Sequence, residues 1–177
     1  MLRQQILESL LDEDRPELFE LKPIFSQDDE TPRTMYVSAD ILAVVTPPFD
    51  DTLEGERLGK FRAWLDDFVD GARLSVSEEP RGKPPDTMLA RVEEVEQEFW
   101  SIRVTEPADT SGIRSFGAFW KLDEFVAVTW AMREDIGREF DEAVHDARER
   151  WKDLFGAVTP HSGDDLDAYL TNYYRAF

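Results

Sequence analysis

Three runs of alternating apolar and polar residues, joined by short turns, dominate the second half of the chain. They cover 99–105, 113–120 and 125–132, and their links are too short for a crossover, so we expect an antiparallel meander. Apolar residues then recur at helical spacing over 136–155, which predicts a long helix. We therefore predict an α+β fold in which an antiparallel sheet of three or more strands carries helices packed on it.

The same periodicities predict further elements outside this block. Helices are expected at 2–11, 58–71 and 87–95, and a C-terminal helix within 156–177 is expected to begin at the Ser162-x-x-Asp165 capping box. Extended segments are expected at 18–25, 35–37 and 41–45. Loops or linkers are expected at 27–32, 49–56 and 80–85, which are rich in acidic residues, proline or glycine.

Charge divides the chain into segments. Residues 1–56 hold 4 basic and 14 acidic residues, a balance of −10, whereas 57–155 hold 15 of the 20 basic residues. We predict an acidic N-terminal α/β extension at 1–56, an α+β domain at 57–155 and the C-terminal helix at 156–177.

Composition excludes several classes of site. The chain has no cysteine and only His145 and His161, which removes disulfides, thiol nucleophiles and histidine-rich metal sites. No EF-hand loop and no phosphate-binding glycine motif is present, so we expect neither a metal nor a cofactor. No apolar run is long enough for a membrane span, and we expect a cytoplasmic protein without membrane contact. The net charge of −19 disfavours nonspecific nucleic-acid binding.

The order helix, helix, three strands, helix over 57–155 resembles the RelE/ParE superfamily of toxins, and its HigB-like branch in particular. The residues that carry the resemblance are Phe61–Leu65 in the first helix, Phe99–Val104, Ile113–Phe119 and Phe125–Trp130 in the strands, and Phe140–Val144 with Arg148 and Arg150 in the last helix.

The resemblance implies a toxin of a type II toxin–antitoxin pair that cleaves messenger RNA without a metal. Arg103, Arg114 and Arg133 stand where the family places basic residues that hold the phosphate, and they are the catalytic candidates. An antitoxin protein encoded nearby, together with messenger RNA or the ribosome, would be the partners. The sequence departs from the family after the third strand, where acidic residues replace a basic pair, and at Phe140, where a tyrosine is common.

Other interpretations of the same residues remain open. Arg103 and Arg114 could pair with sheet neighbours such as Glu98 or Asp123, and Arg133 with the adjacent Glu134 or Asp135. The chain could then be a non-catalytic acidic protein–protein interaction factor, such as a phage or mobile-element protein, that binds a basic protein surface. A third hypothesis is that the protein is a RelE-like toxin whose acidic extension at 1–56 covers its own basic site.

Overall fold

A computed structural model describes residues 2–25, 30–106 and 112–176. Its helices are α1 (Leu2–Leu10), α2 (Ala39–Val45), α3 (Leu53–Val69), α4 (Arg133–Ile136) and α5 (Phe140–Phe155). Its strands are β1 (Leu18–Glu20), β2 (Thr34–Ser38), β3 (Leu74–Ser77), β4 (Leu89–Arg91), β5 (Trp100–Val104), β6 (Ile113–Lys121), β7 (Glu124–Met132) and β8 (Tyr173–Arg175). Short 3-10 turns lie at 95–97 and 166–168.

All eight strands belong to one sheet in the order β1-β2-β7-β6-β5-β4-β3-β8. The predicted α+β class is confirmed. The sheet is mixed rather than antiparallel, however, because β2 pairs in parallel with β7 and β3 pairs in parallel with both β4 and β8. Strands β5, β6 and β7 pair antiparallel with their sequence neighbours inside this larger sheet.

Helices cover both faces of the sheet. Phe119 on β6 packs into a core with α2 and α3, whereas Phe116 and Trp120 on the same strand face a second core with α1 and α5. This alternation follows from the two-residue period of a strand, because both faces of the sheet must bury apolar side chains. The result is a sheet with one helical layer on each side.

The first 56 residues contribute to both cores. Met35 and Val37 on β2 are fully buried on the α3 side, and Leu7 on α1 packs against α5. Strand β2 lies beside β7, so the acidic segment and the second half of the chain share one sheet.

Two predicted elements have a different secondary structure. Residues 41–45 form the helix α2 rather than a strand, because the Ser38 hydroxyl accepts a hydrogen bond from the Ile41 amide and caps the helix. Residues 89–91 form the strand β4 rather than a helix, since their backbone groups pair with β3 on one side and β5 on the other. A short apolar run fits the period of a helix as well as that of a strand, and its backbone hydrogen-bond partners decide which of the two forms.

The predicted C-terminal helix over 156–177 is also wrong for the described residues up to 176. Asp165, not Ser162, caps a single 3-10 turn, after which the chain runs to β8 at the sheet edge. Tyr169 is fully buried beside Trp100 and Phe119, which fixes the turn against the sheet.

Two boundaries differ as well. The predicted helix over 136–155 divides into α4 and α5 at Gly137, whose positive φ of 55° suits glycine. Helix α3 begins at Leu53 inside the predicted linker, because the Thr52 hydroxyl caps it. Residues 27–29 of the predicted loop at 27–32 lie outside the described residues, and so does residue 26 immediately before it.

Candidate functional site

The three arginines predicted as site residues lie around one pocket. Arg103 on β5 and Arg114 on β6 are direct partners in the antiparallel register. Ile102, Val104 and Ile113, their chain neighbours, face the α3 core, so both arginines project to the opposite face. Arg133 is the first residue of α4, directly after β7. Consecutive strands therefore bring together residues that are distant in sequence.

A lysine completes this group. Lys83 belongs to the proline-rich connection between β3 and β4 and lines the same pocket, whose volume is about 270 Å³. We call Lys83, Arg103, Arg114 and Arg133 the cationic pocket. Its other lining residues are Pro80, Ala90, Arg91, Val92, Ser101 and Phe140, so no acidic residue is among the described lining residues.

Hydrogen bonds to backbone carbonyls hold these cations in place. The Arg103 Nη1 donates to the carbonyls of Pro84 and Thr87 at 3.3 and 3.0 Å, which fastens the loop to β5. The Arg133 Nη1 donates to the Gly137 carbonyl at 2.8 Å, and its guanidinium lies 5.8 Å from the Phe140 ring centre. The Lys83 ammonium donates to the Pro80 carbonyl.

Arg114 is the most constrained member of the cationic pocket. Its side chain is only 9% exposed, and within the described residues its guanidinium donates only to the Ile113 carbonyl, at 3.0 Å. A guanidinium has five N–H donors. Among the described residues, donors of Arg114 therefore remain for an acceptor that enters the pocket.

The four cations repel one another. Burial, followed by the charges of Arg103 and Arg133, lowers the pKa of Arg114 to about 10. Burial and the neighbouring Arg103 and Arg114 also lower the pKa of Lys83. Burial lowers the pKa of Arg103 as well, and Asp86 opposes that change in part. An anion bound among these groups would reduce the repulsion between the cations and replace the solvation that burial removes.

The ion pairs expected as an alternative do not form among the described residues. Glu98 lies 3.6 Å from Arg91 and accepts a hydrogen bond from the Tyr169 hydroxyl at 2.7 Å. Asp123 lies 3.5 Å from the buried Arg33. Glu134 pairs with Arg57 at 2.8 Å rather than with its neighbour Arg133. Glu98, Asp123 and Glu134 therefore each pair with an arginine other than the predicted one.

Neither histidine lines the cationic pocket. His145 is exposed on α5, and the His161 Nε2 is 2.8 Å from the Ala168 carbonyl on another part of the surface. Among residues 2–25, 30–106 and 112–176, no group of three or more histidine, aspartate or glutamate side chains could hold a metal ion.

The described part of 1–56 does not cover the cationic pocket, because none of its residues lines it. Instead Leu18, Met35 and Val37 complete the two cores. The hypothesis of an acidic extension lying over the basic site is therefore wrong for the described residues.

Sequence reasoning missed Lys83. The segment Pro80-Arg81-Gly82-Lys83-Pro84-Pro85 predicted only a loop, and nothing local placed it beside strands 20 to 30 residues later. The one available signal was a cation within a stiff, proline-rich connection that precedes the basic strands.

Comparisons with protein-family models, curated proteins and solved structures find no match to this chain. In the described part of the chain, no helix is long and apolar enough to cross a membrane.

Proposed function

We propose that the cationic pocket binds a phosphate group of RNA and that the protein is a metal-independent endoribonuclease of the RelE/HigB-like toxin type. The observation that carries the proposal is the convergence of five cations, of which all but Arg91 form no described ion pair, in a pocket with no acidic residue among its described lining residues. The net charge of the chain is −19. Random placement on so acidic a surface would pair most cations with carboxylates. Clustered cations that do not pair favour an anionic ligand.

The arrangement suits phosphodiester cleavage by the neighbouring 2′-hydroxyl. Attack forms the 2′-O–P bond and breaks the P–O5′ bond, and the phosphorane between them carries an additional negative charge. Arg103, Arg114 and Arg133 stabilise that charge, since cations fixed in advance act most strongly where charge develops. Lys83 donates a proton to the leaving 5′-oxygen, while water accepts the proton of the 2′-hydroxyl.

The size of the pocket supports a small ligand portion. Its volume of about 270 Å³ is just below the ~300–1,000 Å³ that typical ligand pockets occupy. A phosphate with its attached ribose is therefore a better fit than a complete dinucleotide.

The test is cleavage of a labelled single-stranded RNA in the presence of EDTA. We expect the wild-type chain to cleave and the Arg103→Ala and Arg114→Ala variants to lose at least a hundredfold in rate with unchanged folding, because removing one preorganised donor costs about 10²–10³. The exposed Arg138, which has no described ion pair, gives the matched control Arg138→Ala. Full cleavage by both pocket variants would refute the site assignment.

A toxin of this type requires a partner that neutralises it. We expect the neighbouring gene to encode a small DNA-binding antitoxin whose acidic segment enters the cationic pocket. Co-expression should then protect the pocket from phosphate, as measured by loss of phosphate binding in the purified complex.

A second candidate function rests on the outer face of α5. Glu142, Asp146, Glu149 and Asp153 are exposed and follow one another at intervals of 4, 3 and 4, so they form an acidic stripe. A basic protein surface would complement it, as expected for a non-catalytic interaction factor. Failure of the wild-type chain to bind either phosphate or RNA at 50 mM salt would favour this function.

A further inference from the structure

A second pocket lies farther along α5. Its lining residues are Gln97, Phe99, Arg148, Trp151, Lys152, Gly156, Ala157, Val158, Thr159 and Pro160, and its volume is about 470 Å³. We call it the distal pocket. Both pockets lie between α5 and the connection from β4 to β5, because Val92 and Phe140 line the cationic pocket whereas Phe99 and Trp151 line the distal one.

The walls of the distal pocket are held by specific contacts. The Trp151 Nε1 donates to the Val158 carbonyl at 2.8 Å and fastens the segment after α5 onto the helix. The Phe99 and Trp151 rings meet edge to face at 5.8 Å between centroids. The Arg148 Nη2 donates to the Glu93 carbonyl at 2.7 Å, which joins α5 to the connection from β4 to β5. The pocket is therefore formed before any ligand enters.

The composition of the distal pocket restricts its ligand. Phe99, Trp151 and Val158 give it a mainly apolar lining, and Gln97 and Thr159 add residues with hydrogen-bonding side chains. Arg148 and Lys152 add positive charge, which Glu94, Glu96 and Asp141 offset in part near Arg148 and Glu149 offsets at 2.7 Å from Lys152. A flat aromatic ring with a polar edge and an attached anion satisfies all three features.

The distance between the pockets fits a short nucleotide chain. Phe140 lines the cationic pocket, whereas Arg148 and Lys152 line the distal one, 8 and 12 residues later on the same helix. A rise of 1.5 Å per residue separates them by about 12–18 Å along the helix. That span corresponds to about four or five nucleotides at the ~3.4 Å spacing of stacked bases.

We propose that the distal pocket binds a nucleobase of single-stranded RNA whose phosphate, about four or five nucleotides away, occupies the cationic pocket. This inference rests on the proposed function, since it extends the same RNA from one pocket to the next. It makes the distal pocket a determinant of substrate length. It also predicts a base preference set by the Gln97 amide.

The test measures affinity for inorganic phosphate, a dinucleotide and a single-stranded hexanucleotide by calorimetry and fluorescence anisotropy. We expect the hexanucleotide to bind at least tenfold more tightly than the dinucleotide. The Ala157→Trp variant, which fills the distal pocket from an exposed position, should abolish that difference and leave phosphate affinity unchanged. The Gln97→Ala variant, at an exposed position, should reduce hexanucleotide affinity about threefold to tenfold.

The matched control is Ala43→Trp, an exposed alanine on α2 in the opposite helical layer, which should leave all three affinities unchanged. If Ala157→Trp and Gln97→Ala both bind the hexanucleotide as tightly as the wild-type protein, while Arg114→Met no longer binds RNA, the distal site alone is refuted. A wild-type chain that binds phosphate but no RNA would refute the proposed function and the distal site together.

Discussion

Arg114 provides the sharpest test of the cationic pocket, because its charge should cost stability when no ligand is bound. Burial and the charges of Arg103 and Arg133 lower its pKa to about 10, well below the ordinary arginine value. That difference corresponds to about 3 kcal/mol at most, since one pKa unit is ~1.36 kcal/mol. Methionine in place of Arg114 keeps a long apolar stem and removes the charge.

The expected gain is smaller than this figure. The substitution also removes the hydrogen bond to the Ile113 carbonyl, which is worth about 1 kcal/mol. We therefore expect Arg114→Met to raise the free energy of unfolding of the ligand-free protein by about 1–2 kcal/mol, or its Tm by about 2–8 °C. The folded-state pKa is lowered, so the penalty is fully present at pH values below about 10 and shrinks gradually as the pH rises from there to the ordinary arginine pKa of the unfolded chain.

Thermal unfolding at pH 7 measures the stability of the wild-type protein and of the variant, with and without phosphate. Phosphate at a hundredfold excess over its Kd should stabilise the wild-type protein by about 2.7 kcal/mol and the variant hardly at all. Arg138→Met should change stability by less than about 0.5 kcal/mol, as expected for an exposed site. If Arg114→Met loses stability without ligand, the guanidinium is a structural group, and the reasoning from charge repulsion is refuted.

Four further outcomes are expected from the structure. Single-stranded RNA affinity should fall with a slope of about −0.7 in log salt for each phosphate that the cations neutralise, and a slope near zero would contradict this. Phosphate affinity should decrease as the pH rises through the lowered Lys83 pKa, because the cation is lost, and Lys83→Met should flatten that profile. Arg33→Leu should cost about 3–5 kcal/mol in urea unfolding, since it leaves the partly buried Asp123 without its cation; a loss below 1 kcal/mol would contradict this. Deletion of 1–56 should give insoluble protein rather than stronger RNA binding, because β2 covers β7.

The period-2 strands were the most predictable part of the fold. Strands β5, β6 and β7 each lie within two residues of their predicted bounds. Their alternation covers several residues, and their links leave few topologies open. The strand β2 was also predicted, at 35–37, but its parallel pairing with β7 was not. Neither this pairing nor the strands β3 and β8 could be predicted in this way, because the pairing partner lies far away in the sequence.

The errors have a common physical origin. Residues 41–45 and 89–91 are short apolar runs, and each adopts the structure that its backbone partners allow rather than the one its composition favours. Tyr169 lies within the predicted C-terminal helix, yet its ring packs in the core against Trp100 and Phe119. Tertiary contacts therefore decided these segments.

Within the candidate site, a shared position could be predicted only for the residues that lie on strands. Arg103 and Arg114 occupy polar positions of two adjoining strands, so their common face follows once the register is known. Lys83 reaches the same pocket from a loop, whose path depends on hydrogen bonds that Arg103 itself donates to Pro84 and Thr87. One arginine thus orders the loop that brings the fourth cation. Substituting Arg103 should therefore weaken phosphate binding more than the loss of one charge, because it also releases Lys83.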